Sequence, residues 1–179
     1  PKQNYILDLR FFLEYISAKL DGFRMIDEIS LKILKILQDK ARIPNVEVAR
    51  QIGMAPSAVL ERIRKLEKQG IIDGYEVRLN PRRFRRHLVG FIHITVEASA
   101  KAKGVGAALA QLDEIQEVHF IAGDDGFLAK VRVGDPSELN HLIRDRIRAI
   151  PGVCGTRSHI VVSTIKETAR IPLGNMELE

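Results

Sequence analysis

Two neighbouring groups of basic side chains have the chemistry needed to bind a polyanion. The first lies within Pro56 to Gln69, and the second is the run Arg82-Arg83-Phe84-Arg85-Arg86. Guanidinium and ammonium groups bind phosphate through charge and through hydrogen bonds. The chain has 179 residues with 28 Lys and Arg against 23 Asp and Glu, a formal net charge of +5. Residues 1–86 hold 18 basic and 11 acidic side chains and residues 87–179 hold 10 and 12, so the N-terminal half is predicted to face an anion.

The other reactive side chains do not form a recognisable catalytic or metal site. The single cysteine, Cys154, excludes an intrachain disulfide and a multi-cysteine zinc site, and it is typical of a reducing compartment. The 5 histidines lack metal-ligand spacing, and the sequence has no phosphate-binding loop or nucleophile elbow. We therefore predict no catalytic residue, no metal and no cofactor.

The hydropathy pattern predicts a cytoplasmic protein without a membrane partner. A hydrophobic content of 45% is enough for a packed core. No apolar run approaches about 18 residues, the length of a membrane span. Asp8, Arg10 and Glu14 interrupt the apolar residues near the start, so no signal peptide is predicted there.

Helical periodicity dominates the N-terminal half and supplies the elements that would position the basic groups. Amphipathic helices are predicted at Tyr5 to Leu20, at about Glu28 to Lys40, at Val46 to Ile52 and at Pro56 to about Gln69. Asp27 and Asn45 are the expected N-caps of the second and third of these. The expected core is Ile26, Ile29, Ile33, Leu34, Leu37, Val59, Ile63 and Leu66.

The short connection around Gly53 joins two of these helices in the manner of a helix-turn-helix. Farther along, Asp73-Gly74 is a hairpin turn signal, so residues 71–79 are predicted to form a two-stranded wing.

The C-terminal half alternates strands and helices in the order βαββαβ, which is the ferredoxin-like arrangement. Strands are predicted at Leu88 to Glu97, Val118 to Ala122, Phe127 to Val133 and Thr156 to Lys166, with helical periodicity from Val105 to Ile115 and from Pro136 to Ile150. Two helices cover one face of such a sheet. The last strand has apolar residues on both sides, which predicts oligomerisation.

The two modules together resemble the Lrp/AsnC family of regulators. The resemblance is carried by the stretches Asp27 to Leu37, Ile52 to Tyr75, His119 to Val131 and Gly152 to Lys166, and it extends over about Ile26 to Thr168. It implies an α+β fold, in which a winged helix-turn-helix precedes a ferredoxin-like βαββαβ ligand-sensing domain, the RAM domain. It also implies a prokaryotic transcription regulator that binds double-stranded DNA, forms homodimers through its C-terminal sheets and often assembles into octamers.

This resemblance divides the chain into five segments. They are an N-terminal helical extension (1–24), a DNA-binding domain (25–78), a basic linker (79–87), a regulatory and oligomerisation domain (88–168) and a C-terminal tail (169–179).

The helix that begins at Pro56 is the predicted recognition helix, which places side chains at base edges in the major groove. Its predicted DNA-binding residues are Ser57, Ala58, Glu61, Arg62, Arg64, Lys65 and Lys68. Arg64 and Lys68 are assigned to phosphates, and Arg62 can instead flank the groove because it lies nearer the buried face. Taken alone, this face is typical of a solvated helix, and the turn and the wing beside it favour DNA. Two such helices in a dimer imply a roughly palindromic site, with half-sites about one helical turn, roughly 34 Å, or a multiple apart.

The arginine run has two interpretations of equal weight. Arg82, Arg83, Arg85 and Arg86 can lie along the DNA backbone, which would make binding steeply salt-dependent. Alternatively, the run is a solvated hinge with Phe84 packed on a neighbour.

The resemblance also implies an effector, usually an amino acid or a related small metabolite, bound between subunits near the turn from Gly123 to Gly126. Gly123 lets the backbone approach a ligand, Asp124 and Asp125 can hold an ammonium group, and Thr156 and Ser158 can bind a carboxylate. The family commonly has an acidic residue where this chain has Gly126. Asp125 can replace it, the effector can differ, or the two aspartates form a plain polar hairpin.

Two other functions compete with the regulator. Siroheme decarboxylases are enzymes that resemble this family in both modules, but they tend to carry a stretch rich in histidines and aromatic residues, whereas His119 is isolated here. A stand-alone effector-binding or assembly protein fits the C-terminal half and leaves the basic N-terminal half unexplained.

Overall fold

The computed structural model describes residues 26–97, 104–122 and 126–174. The helix predicted at Tyr5 to Leu20 and the predicted effector residues Gly123, Asp124 and Asp125 lie outside the described residues. The described chain divides into two compact units. One contains the residues up to Glu76 together with those from Ala169 onward, and the other is Val77–Thr168.

Three helices form the N-terminal unit: α1 (Glu28–Asp39), α2 (Asn45–Ile52) and α3 (Pro56–Lys68). They enclose a small apolar core of Ile33, Leu37, Val48, Ala49, Val59 and Ile63. Burial confirms most of the predicted stripe, but Ile29 is 37% exposed and the prediction for it was wrong. Ser30 and Leu31 are buried instead, so the inward face of α1 is rotated toward these two positions.

The local signals account for where these helices begin and end. The Asp27 carboxylate accepts a hydrogen bond from the Ser30 amide at 2.7 Å, which confirms Asp27 as the N-cap of α1. Asn45 is wrong as an N-cap, because Pro44 occupies that position in an extended conformation and Asn45 is already helical. Gly53 follows α2 at a φ of 72°, a left-handed conformation that favours glycine and turns the chain toward Pro56.

The C-terminal segment lies against α1 within the same unit. The Ile171 amide donates to Gln38 Oε1 at 2.9 Å, and Gln38 Nε2 donates to the Ile171 carbonyl at 3.3 Å. Arg170 Nη2 is 3.0 Å from Asp39 Oδ1. These contacts tie the segment to the C-terminal end of α1.

The predicted wing does not form strands: residues 71–80 have no strand pairing in the structure. A lone two-stranded hairpin is marginal in water because it buries little apolar surface. Tyr75, Val77 and Leu79 are accordingly exposed. The signal at Asp73-Gly74 indicates a local turn and does not by itself specify that the flanking residues pair as strands.

The second unit is a four-stranded antiparallel sheet in the order β2-β3-β1-β4. A short 3-10 turn (Pro81–Phe84) precedes it, and its elements are β1 (Leu88–Val96), α4 (Val105–Ala110), β2 (Ile115–Ile121), β3 (Gly126–Val133), α5 (Pro136–His141) and β4 (Val153–Ile160). A π-helical stretch, Leu142–Ile147, continues α5. The core lies between the helices and one sheet face and includes Ile92, Ile94, Leu109, Val131, Leu142 and Ile147. The α+β fold with its βαββαβ order is thus confirmed.

Several boundaries in this unit differ from the prediction, including the start of β4, which is at Val153 rather than Thr156. Helix α4 ends at Ala110 and β2 begins at Ile115. The prediction continued the helix to Ile115 because Leu112 and Ile115 are apolar residues at helical spacing that pack against the same core. Strand β4 ends at Ile160 rather than Lys166. Its partner β1 begins at Leu88, and Val161 makes the last backbone bond, to Val89, so no partner residues remain beyond it.

The opposite sheet face carries an ion-pair network. Lys130 Nζ lies 2.6 Å from Glu167 and 3.0 Å from Glu117, and Arg132 lies 3.1 Å from Glu167. The hydrogen bond from Glu167 is the largest of the causes that raise the pKa of Lys130. Phe91 is exposed on this same face, since it pairs with Lys130 across β1 and β3.

In the part of the chain that the structure describes, no helix is long and apolar enough to span a membrane.

Candidate nucleic-acid interface

Helix α3 presents a continuous polar stripe to solvent. Val59, Ile63 and Leu66 are buried on one side of the helix. The exposed stripe consists of Ser57, Glu61, Arg64, Lys65 and Lys68. These positions recur at spacings of three and four residues, so their side chains share one face over three turns. Among the described residues, α3 enters ion pairs only through Arg62, so the charges of the stripe are available to an external partner.

Two predicted DNA-binding residues of α3 lie beside this stripe. Ala58 is half-buried, as is Arg62. The Arg62 Nη1 atom is 2.5 Å from Asp27 Oδ2 and 3.2 Å from Ser30 Oγ. The structure therefore joins Arg62 to the start of α1. The prediction missed Ser30, although a small polar side chain three residues after an N-cap and next to an apolar stripe was a signal for such a partner.

The segment after α3 is held to the helix by backbone hydrogen bonds from Ile71 and Ile72 to the Leu66 carbonyl and by the side chain of Tyr75. The Tyr75 hydroxyl donates a hydrogen bond to Glu67 Oε1 at 2.9 Å. Burial and the neighbouring Glu67 carboxylate raise the pKa of Tyr75 to about 12. The hydroxyl thus stays protonated and donating across the physiological pH range, and it positions the chain beside the recognition helix without a strand ladder.

The arginine run forms a compact turn. Asn80 Oδ1 accepts from the Arg82 amide at 3.1 Å, and Arg85 has a φ of 54°, in the left-handed region. Arg82, Arg83 and Arg85 are exposed, and so is Phe84. The Phe84 ring is 59% exposed, so the prediction that it packs on a neighbour is not confirmed within this chain.

Arg86 differs from the other three arginines because it has an intramolecular partner. Its guanidinium forms an ion pair with Glu138 at the start of α5. The other Glu138 oxygen accepts from the Gly134 amide at 2.8 Å, and Asp135 caps the helix through the Glu138 amide at 2.9 Å. Arg86 is therefore part of a capping network at the sheet domain.

The predicted effector residues are only partly described. Thr156 is level with Ile94 and Ser158 with Ile92 across β4 and β1, so both hydroxyls lie on the sheet face that carries the core. Gly126, the first described residue after the turn, pairs with Thr95. Thr95 in turn pairs with Gly155, so Gly126 and Thr156 are at the same end of the sheet.

Gly126 has no room for a side chain. A Cβ atom placed there would overlap the Ile94 carbonyl oxygen and lie 3.1 Å from the carbonyl carbon. An acidic residue at this position is therefore incompatible with the backbone of this strand pair.

The described residues contain no group of three His, Cys, Asp or Glu side chains arranged to hold a metal ion. His119 is exposed on β2 next to Glu117, and Cys154 is an exposed free thiol on β4.

Comparisons with known proteins agree with both units. The family model described as winged helix-turn-helix DNA-binding matches residues 26–73, and the Lrp/AsnC ligand binding domain matches residues 89–171. A leucine-responsive regulatory protein of Salmonella typhimurium is 38% identical over 158 residues, covering 87% of this chain and 96% of the relative. The corresponding protein of Escherichia coli K12 has the same identity and coverage.

Solved structures of regulators superimpose over most of the chain. A Neisseria meningitidis transcriptional regulator in complex with L-methionine has a TM-score of 0.80 at 27% identity, covering 83% of this chain and 97% of that one. A feast or famine regulatory protein from Mycobacterium tuberculosis, complexed with L-methionine, has a TM-score of 0.76 at 29% identity, covering 82% and 99%.

The two modules occur here in one chain, in the same order and over nearly the full length of these relatives, which are transcriptional regulators. The chain therefore belongs to the Lrp/AsnC family of DNA-binding transcription regulators.

Proposed function

We propose that the protein is a cytoplasmic, non-enzymatic regulator that binds a roughly palindromic double-stranded DNA site as a homodimer and responds to an amino acid. The observation that carries the proposal is the exposed stripe Ser57, Glu61, Arg64, Lys65 and Lys68 on α3. The stripe has a net positive charge and side chains that suit both base edges and phosphates. Ala58, half-buried beside it, can contact a thymine methyl group.

In our proposal Arg82, Arg83 and Arg85 of the second unit also contact the DNA backbone. Their exposure and the compact turn that presents them support this role. Phosphate contacts of this kind position the protein and carry no sequence information. Arg86 is left out of the contact set because Glu138 already binds its guanidinium.

The proposed dimer forms through the second unit, and dimers are the units of any octamer. One supporting feature is the exposed Phe91 side chain, on the sheet face that the helices leave uncovered. A second is the exposed Ile160 at the end of β4, with the exposed Val162 and Ile165 that follow the strand. Large apolar side chains left exposed in this way are available to a partner subunit. Light scattering of the full chain should give the mass of two chains or of a multiple of two, and a monomer mass at micromolar concentration would contradict the dimer.

The proposed effector site is the end of the sheet that carries Thr156 and the turn at residues 123–125. The L-methionine complexes of two regulators of the family support an amino acid as the ligand class. Because no side chain fits at Gly126, we assign the ammonium contact to Asp124 or Asp125 and the carboxylate contact to Thr156 and Ser158.

The effector is tested by thermal unfolding of the full chain with each of the common amino acids. A ligand at about 100 times its Kd stabilises the native state by about 2.7 kcal/mol, which is a readily measured shift. Asp124→Asn and Asp125→Asn should abolish the shift in at least one variant, whereas Asp113→Asn, at an exposed position outside the site, should keep it. No stabilisation by any amino acid would contradict the proposed effector class and leave DNA binding unaffected.

A further inference from the structure

Arg62 is set apart from the other basic residues of the recognition helix by its partners. It lies on α3 between the exposed stripe and the buried side, and its side chain is 30% exposed. One Asp27 carboxylate oxygen binds Arg62 Nη1 at 2.5 Å while the other accepts the Ser30 amide at 2.7 Å. The Ser30 hydroxyl, on a residue only 7% exposed, binds the same Nη1 atom at 3.2 Å. A single carboxylate thus caps α1 and holds α3.

This arrangement adds direction to packing that is otherwise apolar. The contact between α1 and α3 rests on Ile33, Leu37, Val59 and Ile63. Apolar contact is non-directional and permits small rotations and slides of one helix against another. Charge-assisted hydrogen bonds to two acceptors 32 and 35 residues away in sequence fix both the rotation and the axial position of α3.

The charge state of the pair is stable at neutral pH. The hydrogen bond from Arg62 is the largest of the causes that lower the pKa of Asp27 from 3.8 to about 2. The carboxylate is therefore ionised throughout the physiological range.

We propose that Arg62 is a positioning residue, which fixes the recognition helix through Asp27 and Ser30 and does not contact DNA. This inference rests on the proposed DNA interface and removes Arg62 from the DNA-binding residues predicted from the sequence. The stripe from Ser57 to Lys68 reads the DNA, and the Asp27–Arg62–Ser30 contact sets the angle at which the stripe meets it.

The two roles predict opposite signs for one substitution. If Arg62 binds phosphate, Asp27→Asn should tighten DNA binding, because it releases the guanidinium and removes a negative charge. If Arg62 positions α3, Asp27→Asn should weaken specific binding despite the more positive charge. Binding to unrelated DNA, which depends on charge and not on helix orientation, should stay equal or tighten.

The experiment measures the affinity of the full chain for its selected DNA site and for unrelated DNA across a range of salt concentrations. Arg62→Gln and Asp27→Asn should each lower specific affinity by about tenfold, the effect of losing a hydrogen bond to a charged group. The double variant should be no weaker than either single variant, because both remove the same contact. The slope of log K against log salt should be unchanged for all three.

Arg64→Gln is the matched control, since Arg64 is an exposed arginine of the stripe on the same helix. A lost phosphate contact should reduce its slope by about 0.9 for each protomer. A slope reduction of this size in Arg62→Gln, or tighter specific binding by Asp27→Asn, would overturn the positioning role. Absence of any sequence preference in the unsubstituted protein would instead contradict the proposed interface itself.

Ser30→Ala keeps the experiment decisive if the charged variants fail to fold. It removes one acceptor from Arg62 and leaves the Asp27 cap of α1 in place. The positioning role predicts a smaller loss of specific affinity, about threefold, with the same slope and with helical content intact by circular dichroism. Unchanged specific affinity in Ser30→Ala, with folding preserved, counts against the positioning role.

Discussion

The arginine turn before the sheet gives a quantitative prediction about salt. Each phosphate contact contributes about 0.9 to the slope of log K against log salt. Arg82, Arg83 and Arg85 are exposed, whereas Arg86 is bound by Glu138. Replacing the first three with glutamine should therefore reduce the slope by about 2.7 for each protomer, instead of about 3.6 for four contacts.

The assay is fluorescence anisotropy of a labelled DNA site between about 50 mM and 200 mM salt, the range over which such contacts are strongly attenuated. Over this fourfold change in salt concentration, the affinity of the triple variant should fall about 40-fold less for each protomer than that of the unsubstituted protein. Arg86→Gln is the control: its slope should be unchanged, and its thermal stability should fall because Glu138 loses its partner. An unchanged slope in the triple variant would refute the backbone contacts and favour the solvated hinge. A slope change in Arg86→Gln would refute the assignment of that residue to the capping network.

Three further predictions concern stability. Gly126→Ala should destabilise the sheet domain by about 1–3 kcal/mol in chemical denaturation, because the added methyl group overlaps the Ile94 carbonyl oxygen; an unchanged midpoint would contradict the tight pairing. Gln38→Ala should speed tryptic cleavage after Arg170 by about fivefold, because it removes two hydrogen bonds that hold the C-terminal segment to α1. Equal cleavage rates in the variant and the unsubstituted protein would show that Gln38 does not hold the segment there. The pKa of Asp27 is lowered from its ordinary value of 3.8 to about 2 in the folded protein, so its stabilising contribution is complete above about pH 4 and is lost as the pH falls toward 2. Asp27→Asn should therefore flatten this part of the acid unfolding profile. A profile identical to that of the unsubstituted protein would contradict the ion pair.

Local signals in the sequence predicted the helices of the first unit well, because each has its own chemical markers. Asp27 caps α1, Gly53 takes the left-handed conformation and Pro56 begins α3, as the sequence indicates. These features depend on residues within one turn of each other. The order of elements along the second unit, βαββαβ, followed from the alternation of hydropathy patterns in the sequence.

The failures have a common physical cause, which is dependence on distant partners. The end of β4 is set by the start of β1 at Leu88, more than 60 residues away, and periodicity within β4 carries no information about it. The Asp73-Gly74 turn signal likewise depends on neighbouring residues alone and does not show whether the flanking residues pair as strands.

The same limit applies to the candidate interface. Helical spacing indicated that Arg62 lies nearer the buried face than Arg64, but only the folded arrangement shows that Asp27 and Ser30 bind Arg62. The partner of Arg86 is similarly distant in the chain, because Glu138 lies in the first turn of α5, beyond three strands. Which basic side chains remain available for DNA is therefore decided by tertiary contacts, although the sequence predicts the region that contains them.

The most direct test of the regulator is selection of DNA sites from a random library by the full chain, followed by sequencing. Recognition by a dimer predicts enrichment of a two-fold symmetric sequence whose half-sites lie about one helical turn, roughly 34 Å, or a multiple apart. The enrichment should disappear when Glu61 and Lys65 on the α3 stripe are replaced with alanine. Recovery of no preferred sequence by the unsubstituted protein, or of the same sequence by the doubly substituted one, would contradict recognition of DNA through α3.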